Sequence, residues 1–249
     1  MDDINTDIFE FFGIKISRLN EDSFLGIFRK SIEGGKKIKI AYANVNSLNK
    51  IYSDDNLKSI YNSFDIVHPD GRGIYKASEF LANGKGLSYR LTGSDFYEAL
   101  INESVKNGWS YFFFGHDIET LEKIKIKNPE LKISGLQEGY NYNNENVIEK
   151  INKADPDIII IGLSCPIQEK WIYENSGRIK FRVIIAVGDG IKVFAGNKIR
   201  GPLFLRKAGL EWLVRFCINP VTNFRKYILG NPLFIYRLFK EKVKCRLFK

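Results

Sequence analysis

The chain predicts an α/β fold: a mostly parallel, doubly wound sheet followed by a basic, helical C-terminal appendage. Three observations point there. Short apolar runs alternate with helix-period segments over residues 1–200. One run, Ile158 to Ile161, is four consecutive isoleucines between Pro156 and Gly162, the mark of a strand buried on both faces. After Gly201-Pro202 the pattern becomes helical only. Such βαβ alternation places helices on both faces of a parallel sheet. The expected division is residues 1–200 for the α/β domain and 201–249 for the appendage.

In chain order, Ile14-Lys15-Ile16 and a helix from Asp22 to Ser31 form an added edge unit. Lys37 to Ala43 reads as a buried strand, and Ser53 to Asn62 as a helix started by Asp54-Asp55. Phe64 to Val67 is a short apolar run that enters the turn His68-Pro69-Asp70-Gly71-Arg72-Gly73. Ile74 to Leu81 is helical, and Asn83-Gly84-Lys85-Gly86 ends it. Ser94-Asp95 caps a helix to Lys106, stopped by Asn107-Gly108. Strands at Ser110 to Phe114, near Leu131 to Ser134, and at Phe181 to Val187 interleave with helices at Asp117 to Ile126, Glu145 to Asn152 and Ile167 to Tyr173. The tail reads as helices over 203–217, 220–229 and 232–243, with Pro220 and Pro232 at first-turn positions.

A chain of 249 residues, 44% apolar, is long enough for one large core. No apolar run reaches bilayer-spanning length, and the acidic, polar opening residues read as no signal peptide. Three scattered cysteines fit reduced thiols in a cytoplasm. Two histidines exclude a histidine-rich metal site. Charge is uneven. Lys198 to Lys249 holds 13 Lys+Arg against 2 Asp+Glu, whereas residues 1–197 hold 25 against 27. Aromatic residues interleave with those cations, a composition suited to a polyanion such as nucleic acid or anionic lipid. A helical hairpin with a solvated basic face is the plain alternative.

The turn at Asp70 sets one carboxylate where open α/β folds bind ligands, at the C-terminal edge of a strand. Proline and glycine fix the backbone around it. Three further strand ends are glycine turns: Gly115-His116, Gly162-Leu163-Ser164 and Gly188-Asp189-Gly190. Aligned on one edge, they suit a nucleotide diphosphate, because glycine admits close backbone approach and helix N-termini offer free N–H groups. Neither a dinucleotide fingerprint nor a phosphate-binding loop of the Walker type is present. Asp155-Pro156-Asp157 has the spacing of a D-x-D metal motif but precedes its strand, on the wrong edge. Gln168-Glu169 follows Pro166 at a helix start on the active edge.

Several segments occur in a recognisable order: Asn44-Val45-Asn46, Pro69-Asp70-Gly71, Arg90-Leu91-Thr92-Gly93-Ser94-Asp95, Phe113-Phe114-Gly115, Asp157 to Trp171, Ala195-Gly196 and Gly209 to Arg215. Together they resemble the WecG/TagA/CpsF glycosyltransferases of bacterial surface polymer assembly. The resemblance implies a Rossmann-like fold and inverting transfer from a UDP-sugar, of N-acetylmannosamine or its uronic acid. The implied acceptor is a polyprenyl-diphosphate-linked glycan. It implies a peripheral position at the inner face of the membrane, with residues 201–249 on anionic lipid. On this view Asp70 is the catalytic base, and Asn44, Tyr42, Arg90, Gln168 and Glu169 bind substrate. Gly115, His116, Gly162, Ser164, Gly188 and Lys192 line the nucleotide. No metal, cofactor or nucleic acid is expected, and a homo-oligomer stays open. Two positions depart from the family: Tyr42 stands where Thr is frequent, and Ile191-Lys192 where Phe-Asp or Leu-Asp is usual. A cation at Lys192 suits a carboxylate-bearing donor. A non-catalytic nucleotide- or nucleic-acid-binding protein is the alternative, although the tail lacks glycine-arginine repeats, a zinc motif and a helix-turn-helix signature.

Overall fold

The computed structural model describes residues 7–87, 91–197, 201–202, 205 and 210–247. An antiparallel hairpin, β1 (Asp7–Phe11) and β2 (Ile14–Arg18), opens the chain. Helix α1 (Glu21–Gly34) follows, capped by the Asn20 side chain. Then come β3 (Ile38–Ala43), α2 (Val45–Tyr52), α3 (Asp55–Asn62), β4 (Ile66–Pro69), α4 (Arg72–Leu81) and α5 (Gly93–Asn107). The second half runs β5 (Ser110–Gly115), α6 (Ile118–Lys127), β6 (Lys132–Gln137), α7 (Asn144–Ala154), β7 (Ile158–Gly162), α8 (Ile167–Asn175), β8 (Val183–Ala186) and the short α9 (Ile191–Phe194). The tail holds α10 (Glu211–Ile218), α11 (Pro220–Phe224), a π-helical turn (Arg225–Leu229) and α12 (Gly230–Leu247).

Six strands form one parallel sheet in the order β4-β3-β8-β7-β5-β6. The doubly wound α/β expectation therefore matches the structure. Alternate residues of each strand feed two cores. Ala41, Phe112, Ile159 and Ile184 face one, beside Leu48, Ile60, Ile151 and Ile172 of α2, α3, α7 and α8. Ile40, Tyr111, Ile160 and Ile185 face the other, beside Phe28, Leu100, Ile124 and Phe194 of α1, α5, α6 and α9. Because all six strands are parallel, their C-terminal ends share one edge. The chain steps from β3 to β4 at one end of the sheet, then crosses to β5 and β6 at the other. Order reversals of this kind open a crevice at that edge.

Several element expectations need correction. The segment between β3 and the helix expected from Ser53, given no element by the sequence pattern, is α2, and Asn44 is its N-cap. The helix at 93–107 is capped by Thr92, not by Ser94-Asp95. The edge unit is a full hairpin whose Ile14 and Ile16 are buried, while α1 packs on the sheet face. Asp157 accepts from the backbone N–H and hydroxyl of Ser110, both at 2.8 Å, which ties the N-terminal ends of β5 and β7 together.

The tail packs on the α/β unit through specific contacts. Phe234 is buried and stacks on Phe11 at 6.0 Å between ring centroids. Removing such a ring from water contributes roughly 2–3 kcal/mol. Arg237 lies over the Tyr52 ring at 4.7 Å and donates to the Asn49 carbonyl and, at 2.5 Å, to Ser53 Oγ. Lys242 donates to the carbonyls of Phe80 (2.6 Å) and Leu81 (2.8 Å) and to Asn83 Oδ1 (2.6 Å). Both cations sit at helix C-termini, of α2 and α4, where carbonyls lack partners and the dipole favours positive charge. Part of the basic excess is thus used in docking. No helix among the described residues is long and apolar enough to cross a membrane.

Candidate active site

The Asp70 backbone N–H donates to the Ala43 carbonyl at 2.7 Å, so the turn after β4 is pinned to the end of β3. Gly71 then takes φ 88°, which a side chain would resist, and starts α4. This backbone aims the half-buried Asp70 carboxylate along the strand edge, where its Oδ1 accepts from Gly93 N–H at 3.4 Å. Beneath it lies His68, fully buried and stacked on Phe24 at 5.0 Å. Burial lowers its pKa to about 4, against the pull of the Leu91 carbonyl that Nε2 meets at 3.0 Å. A neutral imidazole therefore donates to Leu91, and Tyr75 holds the same residue from both sides. His68 and Tyr75 anchor the segment that leads into Thr92 and Gly93.

A cavity of about 550 Å³ opens beside Asp70. Its floor is Asn44, Val45 and Asn46 at the start of α2, with Asp70 to Gly73 and Thr92. Its roof is the tail: Glu211, Trp212, Arg215, Lys226, Tyr227 and Asn231, then Phe234, Ile235 and Leu238. Four cations line it, Arg72, Lys76, Arg215 and Lys226. Arg215 donates to Glu211 at 2.6 Å. Burial disfavours its charge, but Glu211, Tyr227 and Asp70 outweigh burial and raise its pKa above the ordinary value. Apolar side chains, among them Val45, Trp212, Phe234, Ile235 and Leu238, line the cavity beside these charges.

The expected site residues divide. Asp70 and Asn44 line the cavity. The Asn44 side chain also caps α2, accepting from the N–H groups of Asn46 (3.0 Å) and Ser47 (3.1 Å). Tyr42 is buried behind the wall, its ring edge-on to His68 (5.4 Å) and Tyr97 (6.1 Å), and burial raises its pKa. Arg90 lies outside the described residues. Gln168 and Glu169 are buried and do not line the cavity.

The glycine turns share the Asp70 edge, farther along the sheet. At two of them the glycine is required by neighbouring backbone and side chains. A Cβ at Gly115 would lie 2.5 Å from the Gly162 carbonyl carbon, and one at Gly162 would lie 2.7 Å from Ile191 Cδ1. His116 adopts φ 60° with Nδ1 2.6 Å from Asp117 Oδ2, and Ser164 is exposed. Gly188 donates its N–H to Gln168 Oε1 at 2.9 Å. Lys192 is paired with Asp189 at 3.0 Å, so its charge is already partly answered.

Residues 9–247 match the glycosyl transferase WecG/TagA/CpsF family model. The chain belongs to that family. It is a glycosyltransferase, which displaces the non-catalytic alternative. The Bacillus spizizenii N-acetylglucosaminyldiphosphoundecaprenol N-acetyl-beta-D-mannosaminyltransferase is 30% identical over 189 residues, covering 74% of this chain and 72% of that protein. The proteins of the same name from Bacillus subtilis and Staphylococcus aureus are 29% and 27% identical, over 76% and 84% of this chain and 74% and 83% of theirs. The family resemblance implies a tail that helps complete the site, but no tail residue is among the expected site residues, although the tail lines much of the cavity. One signal was available: Glu211 and Arg215, four residues apart, form the i,i+4 pair that a helix brings together.

Proposed function

We propose that this glycosyltransferase moves an N-acetylmannosamine-type or uronic-acid sugar from UDP onto a sugar carried by undecaprenyl diphosphate, in surface-polymer synthesis. One observation carries the reading: Asp70 stands in a cavity whose lining combines four cations with the apolar side chains of Val45, Trp212, Phe234, Ile235 and Leu238. Such a cavity suits an acceptor that is sugar, diphosphate and polyprenyl in succession, which is the acceptor in the relatives' names.

Chemistry follows from the groups present. The acceptor hydroxyl attacks the anomeric carbon, its proton passes to the Asp70 carboxylate, and the bond from that carbon to the UDP oxygen breaks. Asp70 must come within about 3 Å of the hydroxyl. A single displacement inverts the anomeric centre and leaves no covalent enzyme intermediate. Arg215 and the positive dipole end at the start of α4 answer the negative charge that develops on the leaving diphosphate. Arg72, Lys76 and Lys226 suit the acceptor diphosphate. Asn44 and Arg90 are assigned to sugar contacts. Gly115, His116, Gly162, Ser164, Gly188 and Lys192 are assigned to the nucleotide side of the edge.

The reaction is tested by incubating the protein with a panel of nucleotide sugars and a short-chain prenyl-diphosphate-linked N-acetylglucosamine. Product from UDP-N-acetylmannosamine or its uronate is expected. Product from neither overturns the proposal. A uronate preference that Lys192→Ala removes would assign Lys192 to the donor carboxylate; equal use of both donors would not.

We assign the tail to the membrane surface. Arg225, Lys240 and Lys244 are exposed beside exposed Ile235, Tyr236, Phe239 and Val243. Cosedimentation with anionic vesicles is expected, weakening as salt rises from about 0.1 to about 1 M because the screening length falls from about 10 to about 3 Å. Binding that is indifferent to both salt and lipid charge would sink this assignment.

A further inference from the structure

A buried polar cluster lies under the strand edge, outside the cavity. Glu169, in the first turn of α8, has no exposed surface. Its Oε1 accepts from Gln168 Nε2 at 2.9 Å and from the Tyr61 hydroxyl at 3.1 Å. Its Oε2 is buried with no hydrogen-bond partner among the described residues. The Tyr61 hydroxyl, from α3, also lies 3.4 Å from the Tyr42 carbonyl of β3 and 3.7 Å from Cys165 Sγ. The cation facing this cluster, Lys50 of α2, donates to the Cys165 carbonyl at 2.5 Å rather than to the carboxyl group. The cluster therefore joins the ends of β3, β7 and β8.

Hydrogen-bond roles along the chain of contacts are fixed. Gly188 N–H can only donate, so the Gln168 oxygen faces it and the Gln168 NH₂ faces Glu169. Burial outweighs the donors that would favour an ionised Glu169, namely Gln168, its own backbone N–H, the Tyr61 hydroxyl and the Cys165 thiol. A buried acid with no cation paired to it favours its protonated form. Burial raises its pKa, and it likewise pushes the Cys165 thiol up to about 12.

We propose that Glu169 is a positioning residue that works as a neutral acid, clamping the Gln168 amide so that its oxygen holds the Gly188 turn at the end of β8. Its effect on turnover rests on the glycosyltransferase reading above; its effect on the fold does not.

Full-length Glu169→Gln and Glu169→Ala test this. Glutamine keeps the size and the neutral state, and alanine removes the clamp. Hydrogen exchange at the Gly188 amide is expected to match wild type in Glu169→Gln and to be at least about tenfold faster in Glu169→Ala. The native state retains a proton that the unfolded chain releases above about pH 4.3, so wild-type stability falls as pH rises beyond that value. Glu169→Gln has no such proton. Its melting temperature should therefore equal wild type near pH 4 and exceed it by about 2–4 °C near pH 8. Turnover should stay within about threefold of wild type in Glu169→Gln and fall about tenfold or more in Glu169→Ala. A melting difference that is flat with pH, or wild-type exchange at Gly188 in Glu169→Ala, overturns the clamp. So does equal loss of turnover in both variants. A wild-type protein inactive with every nucleotide sugar would sink the proposed reaction alone, because exchange and melting are read without substrate.

Discussion

Asp70→Asn should reduce transfer by about 10²- to 10⁴-fold, the range that a positioned general base contributes. The variant is chosen because it is nearly isosteric. Asparagine keeps an oxygen for the Gly93 N–H that Asp70 Oδ1 accepts at 3.4 Å. The bond that pins the turn to β3 comes from the Asp70 backbone and is untouched. His68, fully buried below with its pKa lowered to about 4 by burial, supplies no replacement base. The fold and nucleotide-sugar binding should therefore survive while the proton acceptor is lost. Initial rates with a labelled donor, beside a melting curve and a donor-binding isotherm, separate these quantities. Turnover within tenfold of wild type would remove Asp70 from the role of base. A matching loss of donor affinity would make it a binding group instead.

How much of this was legible in the sequence depended on local signals. Alternating apolar runs and four isoleucines were enough for a parallel sheet, since strands buried on both faces have few other readings. The Pro-Asp-Gly turn announced itself because proline and glycine restrict the backbone wherever they stand. Helix α2 did not, because it is only eight residues long. Val45, Leu48, Ile51 and Tyr52 recur at helical spacing, but two turns are a short window for periodicity, and the start is marked by the reciprocal Asn44–Ser47 cap. In α8 the expected polarity is inverted: Ile167 is 52% exposed, while Glu169 is fully buried. A helix that buries its polar residues against a strand edge defeats periodicity, and only the fold discloses why. The cavity roof was the least legible part. Nothing local says that Phe234 meets Phe11, or that Lys242 closes the end of α4 from 159 residues away at Asn83. Those pairings are tertiary, and the charge excess of the tail pointed outward to a partner when part of it serves docking.

Arg215→Ala should be the second most damaging change, lowering kcat by about 10²- to 10³-fold, as the loss of one preorganised charge-stabilising donor does in a closed site. The arginine comes from the tail, yet it lines the same cavity as Asp70 and is half-buried there. Glu211 holds its guanidinium through a 2.6 Å bond from Nη2, and both residues line the cavity. Charge that appears during departure of UDP would be met by a group already in place, without reorganisation at the moment of reaction. A lysine restores the charge but not the planar fork, so Arg215→Lys should recover only part of the rate. The exposed cations and apolar side chains of α12 are untouched by either variant, so vesicle binding should not change. That pairing of readouts decides what the tail is for. If Arg215→Ala releases the protein from vesicles and leaves kcat intact, the residue is a membrane contact. If kcat falls with membrane binding preserved, the tail supplies part of the active site, and the chain must fold its last helices onto α2 and α4 before it can turn over.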